Sequence, residues 1–521
     1  MSVFRLSKIL TTVKMKKILK YILLGLVISN YSCSKFDEVN TNPEAPEKVT
    51  SAMIATRIII NLANQPSQKG FLQPYMLNKN IVWTEFVESF QYNGFGASSL
   101  SFTSINDAHF MGKFAGTEKL AKSYDGLMYF ARAVKFFEAT MDMGDIPYQD
   151  ALKGELDKNY FPKYDTQKEV FLGILKELEM ADQLFAEGEK FVGDPIYGGD
   201  PVKWRKLVNS FALNVLMQLS KKEGDADLQL KSRFQQILAA KPIFTSNADN
   251  YQLIRSDKSG QTYPFYKVGN NFTIYPIMST EVIDRLKTLQ DRRLFYYAAP
   301  SPVKITGGLT QKDFAAYVGI DPSLVYDNIT AIKGTKDYSK LNDRYTELAT
   351  GEPTQQLSYA QVCFIIAEAA ARGWVSDQPV DWYKKGVEAS MKFIYDNTPN
   401  AEQFHHNMPL DASYVTSYVN GLGSTFPAGT EARIEAIVTQ KYLASFLQSE
   451  FYTYYDYRRT GYPKWKINPA SSLNSEAPDK IPVRWKYPSS EFNYNTANVD
   501  AAVLRQYGGI DDINKPMWLL Q

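Results

Sequence analysis

Cysteine is almost absent from this 521-residue chain, which holds only Cys33 and Cys363. That excludes a disulfide framework and leaves stability to a packed core. Cys363 lies in the apolar run Val362-Cys363-Phe364-Ile365-Ile366 and reads as a small core residue rather than a nucleophile. Histidine is as scarce, with His109, His405 and His406 alone. Neighbouring residues point apart on a regular backbone, so His405-His406 reads as a polar loop, and neither a metal site nor any other cofactor is expected. There is no Gly-x-Ser-x-Gly elbow, no phosphate-cradling Gly-x-x-x-x-Gly-Lys and no His-Glu-x-x-His helix. The 56 carboxylates show no spacing that marks an acid–base pair, so the chain is not expected to be an enzyme. Beyond residue 32 no run of Lys and Arg occurs, and a nucleic-acid partner lacks its electrostatic footprint.

Long hydrophobic runs are missing as well. The strongest, Tyr21-Ile22-Leu23-Leu24-Gly25-Leu26-Val27-Ile28, is under half of the roughly 20 residues a membrane-spanning helix needs. It follows a basic head (Lys14, Lys16, Lys17, Lys20) and precedes Ser32-Cys33. That order reads as a bacterial export signal over 1–32, with Met15 an alternative start and Cys33 the acylated first residue of the mature protein. The signal contains six basic residues and no acid, so its removal turns a formal charge of +2 into a small acidic excess. Residues 33–50, polar, acidic and broken by Pro43 and Pro46, read as a flexible tether. The body is expected over 51–521.

The body reads as mainly α, built from stacked helix pairs. Met53, Ile54, Ile58 and Leu62 suggest a first helix from Ser51, and a second is expected over about 76–90, including Trp83. Leu120, Leu127, Phe130, Val134, Phe137 and Met141 mark a long amphipathic helix over 117–141, stopped by Gly144 and Pro147. Thr166 with Glu169 forms a capping box, and Asp200-Pro201 has N-cap and first-turn character. Between about 241 and 358 the helical period fades apart from a short helix near 279–289, and the region is rich in Gly, Pro, Asn and aromatics. Irregular stretches of this length are usually functional. Helices resume over 359–372 and 380–397, a pair of roughly tetratricopeptide length, and again over 431–448. From Phe451 little periodicity remains.

Several blocks resemble one family. Met143-Gly144-Asp145-Ile146-Pro147-Tyr148-Gln149-Asp150-Ala151, Phe161-Pro162-Lys163-Tyr164-Asp165-Thr166-Gln167 and Gly199-Asp200-Pro201-Val202-Lys203-Trp204 are similar to the SusD/RagB family of outer-membrane nutrient-binding lipoproteins. So are Ala360-Gln361-Val362-Cys363-Phe364-Ile365-Ile366-Ala367-Glu368-Ala369, Tyr457-Arg458-Arg459-Thr460-Gly461-Tyr462-Pro463 and Ile481-Pro482-Val483-Arg484. The blocks themselves read as structural, with Trp204 and Phe364 inward and Arg458, Arg459 and Arg484 paired to acids among packed loops. The resemblance implies a SusD-like fold, an α-solenoid of tetratricopeptide-like pairs with a loop-rich ligand region. It also implies a lipoprotein anchored at Cys33 in the outer membrane, facing the exterior, with Asp37 and Glu38 acting as a surface-export signal. Such a protein would act as a lid on a SusC-like TonB-dependent transporter, capturing an oligosaccharide or, in one branch, a peptide. A non-catalytic interaction scaffold is the competing class.

Stacking aromatics with amide neighbours suit either ligand. The expected contacts are Tyr92, Asn93 and Phe95 in the loop Gln91–Ser99, with Phe272 and Tyr317 in the long irregular region. Replacing Tyr92 and Phe95 by alanine is then expected to weaken capture without loss of stability.

Overall fold

A computed structural model describes residues 48–521. The export signal, the lipidation at Cys33 and most of the tether lie outside the described residues. Ser51–Gln521 forms one compact unit.

Local chemistry starts and stops the main helices. Helix α1 (Ser51–Ala63) buries Ile54, Ile58 and Leu62, while Met53, expected on the same face, is 42% exposed. Helix α2 (Lys69–Leu77) is followed by Lys79 at φ 57°, a left-handed conformation that a helix cannot continue through. The helix expected over 76–90 is therefore absent. Trp83 instead ends strand β1 (Ile81–Trp83). Helix α3 (Glu118–Met143) is capped by Thr117, whose hydroxyl accepts from Leu120 N at 3.1 Å. It stops at Gly144, where φ is 93° and a Cβ would collide with Gln506 and Tyr507. Helix α4 (Gln167–Glu187) carries the full Thr166/Glu169 capping box, and Asp200 caps α5 (Pro201–Gln218) by accepting from Val202 N at 2.9 Å.

Helix α6 (Leu230–Ala240), not anticipated from periodicity, packs against α5. The long irregular region supplies strands β2 (Tyr251–Leu253) and β3 (Pro276–Met278), helices α7 (Thr280–Thr288) and α8 (Tyr326–Thr335), and strand β4 (Thr354–Leu357). Helices α9 (Tyr359–Ala371) and α10 (Pro379–Asp396) form the expected pair. Helix α11 (Ala412–Thr425) packs on α10, and α12 (Thr430–Ala444) packs on α9. Two further helices, α13 (Tyr452–Thr460) and α14 (Thr496–Tyr507), occupy the stretch that reads as aperiodic. The protein is thus mainly α, a scaffold of packed helix pairs. Among the described residues, strands form only two antiparallel ladders, β1 with β3 and β2 with β4.

Trp204 on α5 gathers the first pairs. It is fully buried, with ring centroids 5.6 Å from Phe130 on α3, 5.6 Å from Phe185 on α4 and 6.1 Å from Tyr251 on β2. Its indole donates to Asp194 at 2.8 Å, so the polar edge of a core residue is satisfied. Between the later helices lies a buried ionic network. Arg459 binds Glu368 at 2.8 Å and Asp456 at 3.0 Å, Lys441 joins Asp456 at 2.7 Å, and Arg372 joins Glu368 at 2.7 Å. Arg484 pairs with Asp511, as expected, whereas Arg458 donates to the backbone carbonyls of Val483 and Met141. Cys363 is buried in the core.

Candidate functional site: an aromatic face around Trp83

The β1–β3 ladder sets Trp83 opposite Pro276 and leads directly into two loops. Trp83 itself is fully buried and forms the floor. Its ring centroid lies 6.0 Å from Phe272 and 5.5 Å from Tyr275, both half-buried in the loop before β3. On the loop after β1, Phe86 is 45% exposed, and Ile274, in the loop before β3, is 62% exposed. Lys69, in the first turn of α2, holds its ammonium 4.0 Å from the Phe86 ring centroid and 5.5 Å from that of Trp83, and pairs with Glu88 at 2.5 Å.

Helix α8 closes the other side. Tyr326 OH donates to Glu85 O at 2.7 Å, and Lys333 Nζ donates to Thr84 Oγ1 at 2.8 Å while lying 5.4 Å from the Tyr275 ring centroid. Thr84 in turn donates to Tyr275 O at 2.7 Å, fastening the two loops together. Partial burial and the nearby charge of Lys340 lower the Lys333 ammonium below the usual lysine range. Trp83 Nε1, Glu85 Oε2 and Asn270 Nδ2 are buried without a hydrogen-bond partner among the described residues. Flat rings stack on the C–H faces of a sugar, and flanking ammonium, carboxylate and amide groups take its hydroxyls.

Of the residues expected from the sequence, Phe272 belongs to this face. The other four do not. Tyr92 is 2% exposed and its hydroxyl donates to Leu324 O at 3.0 Å, with burial pushing the phenol up to about 12. Asn93 is buried and accepts from Lys79 Nζ at 3.0 Å; burial pulls that ammonium down to about 7. Phe95 stacks on Trp485 with centroids 4.7 Å apart, and Tyr317 is fully buried with its hydroxyl donating to Gln311 O at 2.8 Å. Their rings and amide serve loop packing and offer no surface to a ligand. What the sequence did not mark is Phe86, Lys69 and Lys333, and it placed Trp83 on a helix. The cluster Trp83-Thr84-Glu85-Phe86 was the available signal, an aromatic pair spaced by polar residues.

No metal-ligating group of His, Cys, Asp and Glu occurs among the described residues, and no helix among them is long and apolar enough to cross a membrane. The described residues thus form a helical scaffold that presents an aromatic, hydrogen-bonding face. Residues 43–488 match the family model SusD-like_2, described as starch-binding associating with outer membrane, and the chain belongs to this SusD-like family of non-catalytic, outer-membrane-associated binding proteins. It is similar to a SusD homologue of Bacteroides fragilis NCTC 9343 at 43% identity, covering 91% of this chain and 100% of that one with a TM-score of 0.87. A second homologue from the same organism is similar at 33% identity, with the same coverage and a TM-score of 0.80. A chitin-binding SusD homologue from Flavobacterium johnsoniae shares the fold at 19% identity, covering 90% of this chain and 98% of that one with a TM-score of 0.67. No curated protein matches the chain.

Proposed function

We propose that the protein is a surface lipoprotein, acylated at Cys33, that captures a nutrient oligosaccharide on the face around Trp83. It then delivers the ligand, as a hinged lid, to a SusC-like TonB-dependent transporter in the outer membrane. The observation that carries the binding step is the exposed Phe86, on a loop that Thr84 fastens to the loop of the half-buried Phe272 and Tyr275. The starch-binding description of the family and the chitin-binding relative support a glycan over a peptide. The acidic, proline-broken tether suits a lid that must swing.

Calorimetric titration of the mature protein with starch and chitin oligosaccharides, beside a mixed peptide pool, tests the reading. Saturable heat with one glycan series and none with peptides supports it, and saturation by peptides alone overturns the glycan assignment. Affinity isolation of the lipidated protein from gently solubilised outer membrane tests the lid: a large barrel at fixed stoichiometry is expected, and recovery of the protein alone removes the transporter step.

A further inference from the structure

A separate cavity of about 540 Å³ opens between α4, α5 and α6. Its floor is apolar, made of Leu175 and Leu178 on α4, Ala212 and Leu216 on α5, and Ile237 on α6. Its rim is ionic and unbalanced. Asp182, 2% exposed, accepts from Arg205 Nε at 2.8 Å, Lys241 Nζ at 2.7 Å and Asn209 Nδ2 at 2.9 Å, so two cations share one carboxylate. Burial raises that carboxyl, but these hydrogen bonds outweigh it and hold it below the usual range, so it stays ionised. Arg233 leans on Glu179, whose side chain is 65% exposed, and its buried Nε has no partner among the described residues. Three cations thus face two carboxylates at the mouth of an apolar pocket whose volume falls in the usual range for small-molecule sites.

The geometry points to a second binding site here, for an organic anion: a carboxylate carried on an apolar body. The carboxylate meets Arg233 and the surplus charge of Arg205 and Lys241, and the body covers the Leu175, Leu178 and Leu216 floor. A cation is disfavoured by the net charge, and Asp182 is already satisfied by three donors. A small inorganic anion leaves the apolar floor wet. The site requires nothing of the Trp83 face and does not rest on the oligosaccharide reading.

Titration of the mature protein with octanoate, octanol and octylammonium tests it, with a Leu-Leu-Leu peptide bearing a free or amidated C-terminus distinguishing a free acid from a chain end. Saturable binding of octanoate or of the free-ended peptide is expected, at least about tenfold tighter than the matched alcohol or amide. Arg233→Gln is expected to weaken it about tenfold with an unchanged melting temperature. Ala212→Phe, which fills the pocket, is expected to abolish it. If no carboxylate saturates up to about 10 mM, if octanol and octanoate bind alike, or if both variants bind as the parent does, the site is overturned.

Discussion

Phe86 and Tyr92 belong to the same loop and meet different surroundings. Phe86 turns to solvent under Lys69, whereas Tyr92 is sealed beneath residues from the α8 region. Tyr92→Ala is therefore expected to cost about 3 kcal/mol of stability, read as a lowered denaturant midpoint, because a buried aromatic leaves a cavity and an orphaned Leu324 carbonyl. The carboxylates divide in the same way. Burial raises Glu368, but the Arg459 and Arg372 guanidiniums outweigh it and hold it at about 2. Its contribution is present above the unfolded carboxylate range and is lost only as pH falls through about 2. Glu368→Gln leaves Arg459 buried with less compensation and is expected to destabilise by about 3 kcal/mol at neutral pH, measured by chemical unfolding. Glu450 shows the opposite sign. Burial, with the charge of Glu138 adding to it, raises its carboxyl to about 7. The folded state then holds a proton that the unfolded state has released, so stability falls as pH rises from the ordinary carboxylate range to about 7. Glu450→Gln is expected to stabilise by about 2 kcal/mol at pH values well above 7 and to change nothing near pH 4, seen by comparing unfolding curves at the two pH values.

At the scale of elements, short strands and fixed loops matter more than the helices that outnumber them. β1 is three residues long, yet its pairing with β3 brings the loop carrying Phe86 against the loop carrying Phe272 and Tyr275. The Phe86→Ala, Phe272→Ala double variant is expected to weaken oligosaccharide binding about tenfold or more, with little change in melting temperature. Loss of the fold in that variant would instead make the face a packing surface. Capping boxes such as Thr166/Glu169 were legible because a helix start is a contract among residues three apart. The end of α2 was not, because the apolar pattern of Ile81, Val82 and Trp83 suits a helix or a buried strand equally, and the partner that decides is nearly 200 residues further along.

For the whole molecule, the aromatic cluster around Trp204 ties three helices and β2 into one body that can hold the loops steady. Trp204→Ala is expected to cost about 3–5 kcal/mol, to lower the melting temperature and to reduce binding only in proportion to unfolding. The sequence by itself determined the helical scaffold and the family blocks, because these depend on residues close in the chain: periodicity, caps and turn glycines. It also supplied the wealth of aromatic rings that the core and the exposed face share. Which rings lie open was decided by the tertiary structure alone. Exposure depends on what a distant segment lays over a ring: Leu324 and Trp485 cover Tyr92 and Phe95, whereas Phe86, beneath the Lys69 ammonium, stays 45% exposed.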